Sequence, residues 1–342
     1  MIDEKNKLVD SFRKVYSSAT TTASDPKIPD NDYFKRRLGG FGAEYEFPKY
    51  IKKIDKDIEF LEGGQFISKK RDNDSVKEKN EFIYTSFDTI EVEKYIKIYS
   101  QVSKWESVTH CYYIKILLNN WTDEEFEIVD KKTRKVDKIL KPQFEYYLFD
   151  KKELKFVKSK SNDFNVILDH FEKAEKKPSK FKLREPEKFK FLNDYELDEL
   201  KKVYSTRYFM DYISRYIKKN LIDVDGFIIK SEKIMIVEIK EKFPIKNKIR
   251  PNEKNEWSYG WDTRRLLWYD YISQKLDLDV LYIIKQVASK EDRALLQWDA
   301  ILLKEFLKGV SWSFSRGGGG GEDTLSVPYL HFDKLNNLLN KF

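Results

Sequence analysis

Residues 221–242, LIDVDGFIIKSEKIMIVEIKEK, constrain the fold more than any other stretch of the chain. Two runs rich in β-branched residues, 227–229 and 234–239, flank the polar break Lys230-Ser231-Glu232-Lys233, a pattern that predicts a β-hairpin. Side chains alternate along a strand, so Glu238 and Lys240 share one face and Ile239 takes the other. A hairpin folds the start of its first strand back beside the end of its second. Asp225 is therefore expected close to Glu238 and Lys240, although 13 positions separate Asp225 from Glu238. Asp223 lies on the same strand face as Asp225. Two carboxylates and an ammonium gathered at the end of a buried hairpin are costly to desolvate unless they serve a purpose.

Such a set suits a hard divalent cation. Mg²⁺ is held by one or two carboxylates together with waters and substrate phosphate oxygens. Bound there, it polarises a phosphoryl group and lowers the pKa of a water. A neighbouring ammonium can orient that water and offset charge that builds in the transition state. The arrangement resembles the PD-(D/E)xK nuclease superfamily, which includes most type II restriction endonucleases. Asp225, Glu238 and Lys240 match its catalytic positions one by one, and Val224 stands where the family's proline often sits. Asp223 is a second candidate for the aspartate. The resemblance covers about residues 195–290. It implies hydrolysis of a phosphodiester to 5′-phosphate and 3′-hydroxyl ends. Asp225, Glu238 and the Ile239 carbonyl would hold Mg²⁺, or Mn²⁺ as a substitute, and Lys240 would position or deprotonate the attacking water.

The flanking sequence follows the order the resemblance implies, which is helix, antiparallel hairpin, helix, strand. Residues 193–219 read as a helix: Asn193 and Glu196 have the spacing of a capping box. Leu197, Leu200, Val203, Tyr204, Phe209, Tyr212 and Ile213 recur at roughly helical intervals. Asp262 or Thr263 can cap a second helix running to Leu276, and the apolar run 280–284 reads as a buried strand. Glu-x-Lys also occurs at Glu153-Leu154-Lys155 and Glu175-Lys176-Lys177, but no aspartate leads a hydrophobic strand into either. The plainer alternative for 221–242 is an amphipathic hairpin with exposed charges at its ends. The RecB-like branch of the superfamily carries Gln-x-x-x-Tyr on the helix after the lysine. That helix here reads RRLLWYDYISQKLD and lacks the pattern.

The expected fold class is mixed α/β (α+β), with a PD-(D/E)xK restriction-endonuclease-like core and an N-terminal β-rich domain. Residues 1–37 read as a mobile lead-in, because 17–31 are rich in Ser and Thr, hold two prolines and offer no core material. Residues 38–170 alternate short aromatic and β-branched runs with turns: 81–85, 112–117, 126–129 and 144–148 read as strands, and 90–102 as a helix. Residues 171–192 are mostly charged and read as a connector, which leaves 193–342 for the nuclease domain.

A net charge of +7 fits a polyanionic partner without demanding one. Lys242, Lys246, Lys248, Arg250 and Lys254 populate the stretch that leaves the second strand, where they can meet phosphates. Arg264 and Arg265 sit in a helix's first turn, where the dipole disfavours cations, which argues for an anionic partner. Arg316 precedes five glycines, and no Walker motif appears, so ATP is not expected. A separate β-rich domain beside the nuclease suits a type II restriction endonuclease, a homodimer on double-stranded DNA. Arg36, Arg37, Lys69, Lys70, Arg71 and Asn73 are candidates to read base edges. The single cysteine, Cys111, excludes an internal disulfide, and the three histidines lack zinc-site spacing. No apolar run is long enough to span a bilayer, which predicts a soluble cytoplasmic protein, prokaryotic or phage-encoded. Two other readings stay open: a catalytically inactive nuclease-fold DNA-binding or defence protein, and a structure- or RNA-directed nuclease.

Overall fold

A computed structural model of the chain describes residues 2–19, 30–68, 81–130, 133–161, 163–171, 183, 185–213, 221–247, 256–289, 292–310, 315–316 and 323–341. Helices α1 (Ile2–Ala19) and α2 (Asp30–Ile54) precede strands β1 (Ile58–Ser68) and β2 (Phe82–Asp88). Helix α3 (Ile96–Val102) leads into β3 (Val108–Asp130), β4 (Thr133–Asp150) and β5 (Lys155–Lys158), then the short α4 (Asn165–Leu168) and α5 (Leu197–Arg207). The hairpin strands are β6 (Leu221–Lys230) and β7 (Lys233–Lys242), followed by β8 (Ile245–Asn247), β9 (Glu256–Asp262), α6 (Thr263–Leu276) and β10 (Asp279–Val287). The chain continues through β11 (Leu295–Leu302), α7 (Leu303–Gly309), β12 (Ser315–Arg316), β13 (Asp323–Pro328), β14 (Asp333–Lys334) and α8 (Leu335–Leu339). The class is mixed α/β.

The chain divides into two compact units, and each draws on two separate stretches: Met1–Ser24 with Gln65–Ile222, and Asp25–Gly64 with Asp223–Phe342. This differs from the expected bounds at the N-terminus, where no single lead-in exists. Within 1–37, residues 2–19 form α1 and residues from 30 onward belong to α2, while 20–29 lie outside the described residues. The cause of α1 is an apolar stripe: Leu8, Phe12, Val15 and Tyr16 recur at helical spacing and are all buried in the first unit. There Phe12 stacks on Tyr16 and meets the edge of Phe189.

The first unit carries the β-rich part. β2 runs parallel to β3, which forms a long antiparallel pair with β4, and β5 closes the edge. Helix α5 also belongs here, not to the unit holding the hairpin. Its capping box is Glu196 with Glu199, three residues beyond the start expected at Asn193, and a π-helical turn, Tyr208–Ile213, continues it. The end of the expected helix, 214–219, lies outside the described residues.

In the second unit β6 and β7 pair antiparallel from Gly226↔Val237 to Lys230↔Lys233, with only Ser231 and Glu232 in the turn. Helix α6 crosses over to β10, which returns parallel to β7 and sets Tyr282 beside Glu238 and Ile284 beside Lys240. β11 and β14 extend this sheet beyond β10, and the start of β1 flanks β6. A smaller sheet has the order β12-β13-β9-β8.

The leading helix of this unit is α2. It contains Pro48 and three glycines, so intrinsic propensity opposes it. Packing holds it: Ala43, Phe47 and Ile51, four residues apart, are buried with Ile228, Met235, Val237, Ile239, Leu281 and Ile283. β1 passes so close to β6 that a Cβ on Gly63 would lie 1.8 Å from the Val224 carbonyl oxygen. Only glycine fits there.

Candidate functional site

The hairpin gathers the three residues that its sequence singled out. Asp225 lies one step beyond the Gly226–Val237 pair, and its Oδ2 accepts the Ile239 amide N–H at 2.7 Å. Lys240 Nζ donates to the same Oδ2 at 3.2 Å and to the Ile239 carbonyl at 2.9 Å, and lies 2.7 Å from Glu238 Oε1. One ammonium therefore sits within 3.2 Å of oxygens from Asp225, Glu238 and Ile239. Of the two aspartates, Asp225 is the one whose carboxylate meets Ile239 and Lys240. Asp223 offers its backbone carbonyl to the Tyr269 hydroxyl at 3.2 Å.

Helix α6 supplies two further members. The Asp262 carboxylate caps it by accepting the Arg265 amide N–H at 3.0 Å, which fixes the first turn. Arg265 and Tyr269 are four residues apart and so share a helix face. Arg265 turns inward, with Nε 3.0 Å from Glu238 Oε1, and Nη2 3.0 Å from Oε2 and 3.6 Å from Asp225 Oδ1. The Tyr269 hydroxyl donates to Glu238 Oε2. Glu238 is 0% exposed: Oε2 accepts from Tyr269 and Arg265, whereas Oε1 has the ion-pair contacts to Lys240 and Arg265 but no well-formed hydrogen bond among the described residues. Behind them Tyr282 stacks on Trp261 at 4.0 Å and donates to the Gly260 carbonyl at 3.0 Å.

The charges settle accordingly. Burial alone would raise Asp225, but Lys240 and Arg265 outweigh it and hold the carboxyl below its usual value of 3.8. Burial dominates at Glu238 and, with Asp225 nearby, raises it despite Arg265 and Lys240. Burial and Arg265 pull Lys240 down, yet Asp225, Glu238 and Glu44 of α2 raise it on balance, so it is a charged ammonium. Lys242 goes the other way: burial and the neighbouring Lys240 push it down to about 8.

The oxygens suit a hard cation. Among the described residues no cluster of three or more His, Cys, Asp and Glu could cage a metal. Mg²⁺ does not require one, because it binds one or two carboxylates and completes its shell from water and substrate. Two carboxylates and a carbonyl that already converge on a single ammonium are a donor set of that kind.

The basic residues expected to meet a polyanion divide. Lys242 points inward and donates to the Gly260 carbonyl at 2.6 Å, and Arg265 is committed to the carboxylates. Lys246 on β8 and Arg264 on α6 are exposed. Lys246 pairs across the strands with Trp257, which is 55% exposed. The Arg316 backbone pairs with Asp323, and its side chain lies outside the description. So do the side chains of Arg36 and Arg37 in α2, and the whole of Lys69, Lys70, Arg71, Asn73, Lys248, Arg250 and Lys254.

Sequence reasoning missed Tyr269 and the true partner of Arg265. The one local signal is their four-residue spacing, which puts Arg265 and Tyr269 on one face of α6. Among the described residues no helix is long and apolar enough to cross a membrane, and Cys111 is a buried free thiol. No family model matches the sequence, and neither the curated proteins nor the solved structures yield a match to it.

Proposed function

We propose that the second unit carries a metal-dependent nuclease site and that the protein is a site-specific endonuclease of double-stranded DNA. The observation that carries this reading is the convergence of Asp225, Glu238, the Ile239 carbonyl and Lys240 at the end of one hairpin. Asp225, Glu238 and the Ile239 carbonyl would hold Mg²⁺, or Mn²⁺, which when bound supplies a Lewis acid for the phosphoryl group and a more acidic water. Lys240 would position or deprotonate the attacking water and offset charge on the phosphoryl oxygens. Asp225 fixes that ammonium by accepting from it. The Tyr269 hydroxyl holds one oxygen of the Glu238 carboxylate in place. Exposed Lys246 and Arg264 can contact flanking phosphates, and exposed Trp257 offers a flat apolar face beside them. The first unit is assigned to base reading, and a homodimer would match a palindromic site. No step needs ATP.

A second reading, a nuclease-fold DNA binder without activity, is favoured by one observation: Lys240 and Arg265 already neutralise both carboxylates. Incubation with unmethylated phage DNA, with and without Mg²⁺, separates the two. Discrete Mg²⁺-dependent fragments support the endonuclease, and a smear keeps the nuclease while discarding site specificity. Intact DNA and RNA with every divalent metal would leave the inactive binder.

A further inference from the structure

We propose that Arg265 is an internal counter-ion that occupies the acidic pair until a divalent ion displaces it, whereupon its guanidinium takes a phosphate oxygen of the substrate. The inference rests on the nuclease reading and concerns the regulation of that same site. Two carboxylates, Asp225 and Glu238, face two cations, Lys240 and Arg265, at 2.7 to 3.6 Å. The group is therefore neutral as it stands. A divalent ion added without any movement would set four positive charges against two negative ones inside a buried cluster, which a low-dielectric environment penalises heavily. One cation has to leave.

Lys240 and Arg265 are not equivalent in this respect. Lys240 is anchored to the strand carrying the carboxylates, its ammonium also bonds the Ile239 carbonyl, and its side chain is 24% exposed. Arg265 approaches from α6, its only cluster partners are the two carboxylates, and its side chain is 36% exposed. Its backbone is pinned by the Asp262 cap, so the guanidinium can swing outward while the helix stays in place. It also stands in the first turn of α6, where the helix dipole repels a cation and welcomes an anion. Once the carboxylates bind a metal, nothing in that turn holds the guanidinium, and an incoming phosphate offers it the planar, two-pronged acceptor it matches best. Metal and substrate then favour each other, because each removes a charge that the other leaves uncompensated.

The test is calorimetric titration of Mn²⁺ into the full-length protein without DNA, for the wild type, Arg265→Gln and Arg265→Lys. Arg265→Gln is expected to bind the ion at least about tenfold more tightly than the wild type. It should also gain more thermal stability from the ion, since a ligand stabilises the folded state by RT ln(1 + [L]/Kd), a term that grows as Kd falls. Arg265→Lys keeps a positive charge but cannot fork across both carboxylates, so its affinity should fall between the two, and it covers the case in which the glutamine variant does not fold. Cleavage by Arg265→Gln should drop about a hundredfold, the usual cost of one lost donor to a developing anion. If both variants bind Mn²⁺ no more tightly than a wild type that cleaves DNA, the counter-ion idea is overturned and the nuclease stands. If the wild type neither cleaves nor binds the ion with DNA present, the nuclease reading itself fails.

Discussion

The close approach of β1 to β6 makes one substitution unusually informative. A Cβ built on Gly63 would lie 1.8 Å from the Val224 carbonyl oxygen, 2.6 Å from the Val224 carbonyl carbon and 2.8 Å from that of Asp225. Ordinary contacts of this kind sit near about 3.5 Å. All three obstacles are backbone, so no side chain can rotate aside, and β1 or β6 must yield by more than about 1 Å at the residue that presents its carboxylate to Lys240. Overpacking in a tight core typically costs about 1–3 kcal/mol, and a backbone clash belongs at the upper end. Gly63→Ala should thus lose about 3 kcal/mol, or roughly 6–12 °C of melting temperature at about 2–4 °C per kcal/mol for a domain of this class. Gly42→Ala is the matched control. It adds the same methyl to α2, where nothing lies within 4 Å of the new atom, and should stabilise by up to about 1 kcal/mol through helix propensity alone. Denaturant titration of both variants gives the two values. Equal stabilities for Gly63→Ala and the wild type would show that β1 does not press on Val224 as described.

Other expectations concern the site. Lys240→Ala should lower Mg²⁺-dependent cleavage by at least about a hundredfold while DNA binding in a mobility-shift assay stays nearly unchanged; wild-type turnover would refute the role given to the ammonium. Tyr269→Phe removes a hydroxyl that donates to a buried carboxylate, and should cost about 1.5–3 kcal/mol in a thermal melt, with a smaller loss counting against that bond. Lys242 titrates near 8, against 10.5 for an ordinary lysine, so the pH profile of its acylation, read by mass spectrometry, should have its midpoint near 8. Linkage gives the same shift a stability sign. The unfolded chain holds this proton between about pH 8 and 10.5 and the folded chain does not, so Lys242 makes stability rise with pH across that window. Lys242→Met should flatten the rise.

The hairpin, α6 and β10 were legible because their signals are local. β-branched runs around a polar break, a carboxylate at a cap position and a short apolar run each specify an element without help from elsewhere. Helix α2 was not legible for the opposite reason. Gly39, Gly40, Gly42 and Pro48 argue against a helix, and only the packing of Ala43, Phe47 and Ile51 on distant strands overrides them. The helix read at 193–219 is real over 197–207, yet its apolar face serves the first unit, and periodicity says nothing about which core a face will join. At the site, strand alternation and hairpin closure placed Asp225, Glu238 and Lys240 together. Arg265 was noticed as a cation in an unfavourable turn, but its partners come from another element, and a four-residue spacing on α6 does not reveal what that face meets.

The discontinuity of the two units bears on how the protein is made. All of the first unit has been synthesised by residue 222, whereas the second has then contributed only α2 and the start of β1. The apolar face of α2, with Ala43, Phe47 and Ile51, waits uncovered until β6, β7 and β10 are synthesised, a long interval in which holding chaperones would find it. A product cut short before residue 238 lacks the carboxylate that completes the acidic pair. Expression of 193–342 alone would supply both carboxylates but omit the helix and strand that pack against the hairpin carrying them. The cluster of Asp225, Glu238 and Lys240 thus assembles on a core whose first helix and strand precede it in the chain by about 160 residues or more.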